Sequence, residues 1–296
     1  MSDQSERASQ PSVVFGYPEE WSAFARRHPE FLKRFPNLEK ALDTAFMRTW
    51  QSSALLDRTI YFLGRLVLEE FMEILLLCAN GYGIGAQKLV RGMYERAVTA
   101  RYLREQPEEV ENFLAFHKVA DHKFLAAVRS SIGPDVFSQE QAEQIERDFQ
   151  NVRQRFIVTD CAKCGTTRLN FTWSKRDFVS MARMSGDIGK LIVSAYYMPT
   201  REAHSTMGAI FSRLDPEAAC EDRLSFDSAA QRDRADDALI SAHNILLNVL
   251  DLQKEHFKIK ELEALLQTCF EDFMAIWREE RQPPLPSADD LQEPRK

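Results

Sequence analysis

Hydrophobic positions in this chain follow the period of an α-helix almost everywhere. Between Asn37 and Ala79, apolar residues recur in steps of three to five, at Leu55, Ile60, Leu63, Val67, Phe71 and Leu75. This spacing places them along one side of a helix, so the pattern predicts one long helix, capped by Asn37 and reaching Ala79. Upstream, Pro18 predicts the start of a short amphipathic helix, and Pro36 predicts its end.

The rest of the chain repeats this helical pattern between clear breaks. Three glycines in residues 80–85 predict a tight reversal, after which the next helix runs antiparallel. Further helices are predicted at 86–105, 107–131, 139–156, 174–185, 187–213, 230–256 and 259–279. Val and Ile form no alternating run of useful length, so no sheet is expected. The predicted fold class is an all-α, antiparallel helical bundle.

The two ends differ from this helical body. Residues 1–14 are polar, and residues 281–296 are rich in Pro and charge, which predicts disorder in both segments. Between them we expect a single all-α domain over residues 15–280. A small loop insertion, which carries two cysteines, is expected at about 157–172.

Composition narrows the class of protein. The 296 residues are 44% hydrophobic and 28% charged, as in an ordinary soluble globular protein. Five Cys at irregular spacing do not form a secreted disulfide framework, and the first residues lack the apolar core of a signal peptide. The longest apolar run, Ile74–Ala79, is far shorter than the roughly 20 residues that cross a bilayer. A cytoplasmic location and no membrane partner are therefore expected.

One stretch, Phe149–Arg176, reverses the charge of the chain. The whole chain has a net charge of −7, yet this stretch holds six Lys or Arg against one acid, together with four aromatic residues. Cations beside aromatic rings suit RNA with exposed bases. The predicted RNA-binding residues are Arg153, Arg155, Arg168, Trp173, Lys175 and Arg176. The alternative is a solvated loop that neutralises the acidic helices.

The same stretch contains a Cys-x-x-Cys-Gly knuckle at Cys161 and Cys164. A knuckle of this spacing can supply two ligands to structural zinc, which needs four. Cys220, or a histidine at position 28, 243 or 256, could complete the site, or two copies of the chain could pool their knuckles in a homodimer. The alternative is a pair of free thiols in a loop.

Other polar residues occur at helical spacing. Arg91 and Glu95 lie four apart, beside Tyr94, on a helix whose apolar neighbours predict burial, and acids at 69, 70 and 73 could face them. His117 and Asp121 also lie four apart, next to His122. They could present an imidazole and a carboxylate to a metal, although the chain has no Glu-x-x-His of the di-iron type. A hydrogen-bonded or solvent-facing pair of histidines is the alternative.

His204 follows Pro199, which should interrupt its helix. Interrupted helices often shape pockets, and Arg201 and His204 could then act as charge stabiliser and general acid or base on a phosphodiester. The alternative is a structural histidine at a bend. The glycines at 81, 83 and 85 follow a predicted helix rather than a strand, so they predict a helix–helix turn and not a phosphate-binding loop.

Two segments carry a resemblance to a known family. The run from Asn80 to Glu95, with Arg91 and Tyr94, and the pieces Trp173–Ala182 and Tyr196–Ser205 resemble the signatures of a bacterial helical family, domain of unknown function 5677. The resemblance covers about residues 50–215 and implies that Arg91, Glu95 and His204 are the shared polar residues. It implies no settled activity.

That family is similar in style to HEPN-type helical proteins, some of which are ribonucleases of defence and toxin systems. This likeness implies our first hypothesis, an RNA-binding or RNA-cleaving protein of bacterial, including phage, defence. Cleavage would then be independent of metal and would use Arg91, Glu95, Arg201 and His204. The second hypothesis is a non-catalytic interaction module. The third is a metal-dependent enzyme that uses Glu70, Glu73, His117 and Asp121.

Overall fold

The computed structural model describes residues 16–161, 163–214 and 226–279 of the chain. The predictions of disorder for residues 1–14 and 281–296, and the possible zinc ligand Cys220, lie outside these residues.

The described residues are predominantly helical, which confirms the all-α fold class. They form eleven α-helices: α1 (Glu20–Arg27), α2 (Pro29–Phe46), α3 (Leu55–Ala79), α4 (Gly83–Glu105), α5 (Val110–Ser131), α6 (Gln139–Val152), α7 (Phe178–Arg183), α8 (Met198–Ala203), α9 (Met207–Phe211), α10 (Arg232–Phe257) and α11 (Glu261–Glu279). Short 3₁₀ helices occur at Pro107–Glu109, Pro134–Val136, Arg153–Phe156 and Gly186–Leu191, and a π-helical turn occurs at Val193–Tyr197. Among these described helices, none is long and apolar enough to cross a membrane.

The first predicted boundary, at Pro36, is wrong. Helix α2 begins at Pro29 and continues through Pro36 to Phe46. An internal proline costs a helix about 3 kcal/mol. Here the apolar stripe of α2 continues beyond it, and α2 packs along α11 and α10, so tertiary packing outweighs the loss. Asn37 is therefore not a cap; its Nδ2 donates a hydrogen bond to Asp272 Oδ2 at 2.7 Å.

The long helix predicted from Asn37 to Ala79 is two helices. Residues 47–54 interrupt it, and α3 starts only at Leu55. The Ser52 hydroxyl accepts a hydrogen bond from the Ala54 N–H at 3.1 Å and donates one to Asp57 at 2.7 Å. Local side-chain bonds of this kind compete with the helix, which explains the break.

The prediction of no sheet is wrong for one short segment. Strands β1 (Ile157–Thr159) and β2 (Thr167–Leu169) pair antiparallel, with Val158 opposite Arg168. Three residues per strand are too few for an alternating pattern to appear in the sequence. This hairpin occupies the predicted insertion and contains the cysteine knuckle.

The chain forms two compact units. Of the described residues, unit 1 comprises 16–48, 65–96, 191–214 and 226–279, and unit 2 comprises 49–64, 97–161 and 163–190. In unit 1, α2, α10 and α11 pack around the buried His243, against which lie Phe31, Phe71, Phe273 and Trp277. In unit 2, α5 packs on α6 around Val119, Phe149, Val152 and Phe156. The prediction of one domain over residues 15–280 stays a prediction.

The glycine-rich segment is a turn between α3 and α4, as predicted. A Cβ added to Gly83 would lie 2.4 Å from both the Ala235 nitrogen and the Gln231 carbonyl oxygen, so only glycine allows the start of α4 to approach α10 this closely. The Gln231 side chain completes the contact, because its Oε1 accepts a hydrogen bond from the Ile84 N–H at 3.1 Å. This junction fixes α4, which carries the candidate site.

Candidate functional site

Three of the predicted site residues meet at the surface of unit 1. The Arg91 Nε of α4 donates to Glu95 Oε1 at 3.0 Å, and the Arg91 Nη1 lies 3.0 Å from His204 Nε2. The Arg91 guanidinium also stacks on the Tyr196 ring, with Cζ 4.9 Å from the ring centroid. Arg91 is therefore the centre of the cluster, and residues 113 positions apart in the chain converge on it.

The contact between Arg91 and His204 fixes the state of the imidazole. A guanidinium can only donate hydrogen bonds, so His204 Nε2 must be the acceptor. The ring is then neutral, and its proton is on Nδ1.

Contrary to the sequence prediction, the helix that carries Pro199 is not interrupted at this proline but continues to Ala203, directly before His204. Pro199 lies in the first turn of α8, directly after the π-helical turn Val193–Tyr197. His204 directly follows the last residue of α8, and its backbone is extended. The Thr206 hydroxyl secures this corner, since it donates to the Arg201 carbonyl at 3.0 Å and accepts from the Ala209 N–H at 3.3 Å.

The predicted burial of this cluster is wrong. Arg91 and Glu95 are partly exposed and His204 is exposed. Of the apolar residues of α4 that suggested burial, Leu89 is partly buried, and the others are buried, namely Val90, Met93, Ala97 and Val98. Arg91 and Glu95 lie on the remaining side of the helix, so the cluster is open to a ligand. Tyr94 belongs to the core, and burial raises the pKa of its hydroxyl.

A second polar pair on unit 1 joins α3 to α4, and in it an acid of α3 contacts Arg96 rather than the predicted pair of Arg91 and Glu95. The Glu70 Oε1 accepts from Arg96 Nη1 at 2.5 Å, while the Glu70 Oε2 is buried and has no hydrogen-bond partner among the described residues. Burial raises the pKa of Glu70 to about 7, and the charges of Glu73 and Glu95 add to the effect. Glu95 thus couples this pair electrostatically to the Arg91 cluster.

Gly92 makes room for this pair. A Cβ at position 92 would lie 3.0 Å from Arg96 Nη1 and 3.1 Å from Glu70 Oε1. Arg201, the fourth predicted catalytic residue, is exposed and its guanidinium lies beside Gly208, where an added Cβ would be 3.4 Å from Nε.

Unit 2 places part of the basic stretch around an exposed aromatic ring. Phe171 is 73% exposed. The Arg168 guanidinium lies 4.6 Å from the centroid of this ring, and the Lys123 Nζ of α5 lies 5.9 Å from it. Arg168 also donates to Asp160 at 2.7 Å. Sequence reasoning missed Lys123, because nothing in the sequence links α5 to the hairpin.

The other predicted RNA-binding residues differ in accessibility. Arg153, Arg155, Lys175 and Arg176 are exposed, and Arg155 lies 3.7 Å from Glu111. Trp173 instead packs edge-on against Tyr102 and Phe113, with centroids 5.8 and 5.3 Å away. Its indole therefore helps to hold unit 2 together.

The cysteine knuckle adopts a tight turn between β1 and β2. The Cys161 carbonyl accepts from the Gly165 N–H at 2.9 Å, and Gly165 has a φ of +70°. The Cys164 Sγ lies 2.8 Å from the Thr166 hydroxyl. Hydrogen bonds, first from Thr166 and then from Cys161, lower the pKa of Cys164 to about 7.

The described part of the chain contains no group of three or more His, Cys, Asp or Glu arranged for a metal. Two of the histidines considered as zinc ligands have other roles, since His28 contacts Asp236 at 2.9 Å and His243 is fully enclosed. The zinc site therefore stays a prediction that needs ligands beyond the knuckle.

The histidines of α5 make local contacts. The His117 Nδ1 donates to the Leu114 carbonyl. His122 stacks on Phe149 with centroids 3.9 Å apart, and its Nε2 lies 3.1 Å from Glu146. These contacts match the hydrogen-bonded alternative considered for the pair.

The described chain is thus an all-α protein whose polar surface cluster joins α4 to the segment around α8. A family model described as a family of unknown function, DUF5677, matches residues 59–222. The match covers more than half of the chain, and the chain belongs to this family. It includes Arg91, Glu95 and His204, as the sequence resemblance implied. Comparisons with curated proteins and with solved structures gave no match.

Proposed function

We propose that this protein binds RNA and cleaves it without a metal ion, at the cluster of Arg91, Glu95 and His204. The observation that carries the proposal is the 3.0 Å contact between the Arg91 Nη1 and the His204 Nε2 at an accessible surface. A cation and a neutral imidazole side by side are the two groups that phosphodiester cleavage needs, one for charge and one for a proton.

The chemistry follows from the hydrogen bonds. A phosphate oxygen accepts a stronger, charge-assisted bond from Arg91 than a neutral imidazole does, so an RNA phosphate would draw the guanidinium away from His204. The freed Nε2 would then accept the proton of the adjacent ribose 2′-hydroxyl. The 2′-oxygen would attack phosphorus, the bond to the 5′-oxygen would break, and that oxygen would take a proton from water. The hydroxide left behind would take the proton from His204, which restores the neutral imidazole. The products are a 2′,3′-cyclic phosphate and a 5′-hydroxyl.

Glu95 and Tyr196 position Arg91 for this role. Glu95 fixes Nε of the guanidinium and Tyr196 supports its face, so Nη1 keeps its direction as it exchanges one partner for the other. In unit 2, the exposed Phe171 with Arg168 and Lys123 supports RNA as the ligand class, because bases stack on exposed rings and cations attract the backbone.

The test is cleavage of a fluorescent oligoribonucleotide in the presence of a chelator. Because general base catalysis contributes roughly 10²–10⁴-fold, His204→Ala should lower the cleavage rate by at least about 100-fold. His117→Ala, which changes another exposed histidine, is the matched control and should cleave normally. An oligodeoxyribonucleotide, which lacks the 2′-hydroxyl, should stay intact.

Two results would contradict the proposal. Equal rates for the wild type and His204→Ala would remove His204 from the chemistry. RNA left intact and unbound by the wild type would favour the hypothesis of a non-catalytic interaction module.

A further inference from the structure

A cavity of about 530 Å³ lies within unit 1, between α4, the segment 191–199 and α10. This volume is within the range of roughly 300–1,000 Å³ that small-molecule sites occupy. Its walls include Val90, Met198, Pro199 and Ile240, which provide apolar surface. A planar, partly apolar group would fit such walls.

Two buried polar side chains line this cavity. Gln87 of α4 is 6% exposed and Ser241 of α10 is 8% exposed. Neither side chain makes a hydrogen bond with another described residue, and neither is among the fully enclosed polar atoms. Their amide and hydroxyl therefore open into the cavity. Because neither group has a partner within the described protein, a ligand that enters the cavity can bond both of them, and it must match the hydrogen bonds that they otherwise make to solvent.

The remaining polar groups of the wall narrow the class of ligand. Asn244 lines the cavity, and its Oδ1 accepts from Asn248 at 3.0 Å, so its Nδ2 is the group available to a ligand. Asp237 is exposed and contributes a carboxylate. This negative charge disfavours an anion inside the cavity and favours a group that donates hydrogen bonds.

We propose that the cavity binds an adenine base. The Gln87 amide can both accept from the exocyclic amine of adenine and donate to a neighbouring ring nitrogen, which is the bidentate pairing that Gln makes with this base. Asp237 is a further acceptor for the amine, and Ser241 can bond a remaining ring nitrogen. The apolar walls cover the faces of the ring.

The cavity shares two elements with the Arg91 cluster. Val90 precedes Arg91 on α4, and Met198 and Pro199 precede Arg201 and His204 on α8. A nucleotide whose base occupies the cavity would therefore have its phosphate on the side of the cations. Only the position of the phosphate rests on the proposed function. If both proposals hold, adenosine is the preferred nucleoside of the RNA substrate.

The experiment is a calorimetric titration of the full-length protein with adenosine, which carries no phosphate. Saturable binding is expected, and inosine, in which a carbonyl replaces the exocyclic amine, should bind at least about tenfold more weakly. Gln87→Leu keeps the approximate size but removes the amide, so it should weaken adenosine binding at least about tenfold. Ser241→Ala should weaken it severalfold, and it serves as the second variant if Gln87→Leu does not fold.

Glu69→Gln, an exposed change on α3 outside both the cavity and the Arg91 cluster, is the matched control and should leave adenosine binding unchanged. Absence of saturable adenosine binding would overturn the inference. Equal affinities for adenosine and inosine would also overturn it. The same holds if neither Gln87→Leu nor Ser241→Ala changes the affinity for adenosine. Because no cleavage is measured, bound adenosine together with intact RNA would contradict the proposed function alone, and cleaved RNA without adenosine binding would contradict the cavity alone.

Discussion

Glu70 should make the protein less stable as the pH rises to neutrality. In the unfolded chain this carboxyl ionises near its ordinary pKa of 4.5, whereas burial raises its pKa to about 7 in the folded protein. Between these two values the folded protein holds a proton that the unfolded chain has released. Stability is therefore unaffected by Glu70 below pH 4.5, falls between pH 4.5 and 7, and stays lower above pH 7.

The size of this effect can be worked out from the site. At roughly 1.4 kcal/mol per pH unit, the raised pKa corresponds to about 3 kcal/mol. The Glu70 side chain keeps 15% of its exposure and Arg96 is partly exposed, so water screens part of the effect. We therefore expect the ionised carboxylate to cost the folded protein about 1–2 kcal/mol.

The perturbation is Glu70→Gln, which retains an acceptor for Arg96 and removes the charge. Urea unfolding at pH 8 should show a gain of about 1–2 kcal/mol over the wild type, and the gain should vanish at pH 4.5. Glu69→Gln, an exposed neighbour on α3, is the matched control and should show no such pH dependence. Glu73→Gln should reduce the effect, because the charge of Glu73 contributes to the raised pKa of Glu70.

A loss of stability in Glu70→Gln at pH 8 would refute this reasoning. It would mean that the ion pair with Arg96 outweighs the burial of the carboxylate. An equal effect at both pH values would refute it as well, since the effect would then not come from the charge.

Two further predictions concern other groups with shifted pKa values. Burial lowers the pKa of His243 from 6.5 to about 3, so acidification below pH 6.5 should destabilise the wild type, by about 2 kcal/mol at pH 5. His243→Gln, which keeps an acceptor for Trp277, should remove this dependence in urea unfolding between pH 7 and 5; an unchanged slope would assign it to other groups. Cys164 should react with iodoacetamide with a midpoint near pH 7, and Thr166→Val should move the midpoint upward because it removes the first hydrogen bond to the thiolate. In Cys161→Ser the second thiol of the knuckle is absent, so any remaining reaction there comes from Cys164. A midpoint near pH 9 in the wild type would contradict the lowered pKa of Cys164.

Helical periodicity predicted the fold where local pattern and packing agree. The stripe Ile60, Leu63, Val67 and Phe71 is buried as expected. Prediction failed at Pro36, where contacts with residues more than 200 positions away decide the structure. A single sequence shows the cost of a proline in a helix but not the packing that outweighs it.

In the candidate site, too, some features were predictable from the sequence and others were not. Arg91 and Glu95 were predictable because they lie four apart on one helix, and motif order in the family linked His204 to them. Their exposure was not predictable, since it depends on which side of α4 the rest of unit 1 covers. Gln87 carried no signal at all, because an amide without a partner is visible only once its surroundings are known.

The energetic cost of the pair formed by Glu70 and Arg96 helps to decide whether this face of unit 1 has a functional role. Glu70 is expected to destabilise the folded protein at neutral pH, and Gly92, which is unfavourable in the middle of a helix by about 1 kcal/mol, lies directly against it, since an added Cβ would be 3.1 Å from Glu70 Oε1. A core built for stability alone would place an apolar residue at position 70 and alanine at position 92. Two adjoining choices that both reduce stability, next to the Arg91 cluster, are typical of a functional site. The local cost therefore supports a chemical role for this face of unit 1 over a purely structural one.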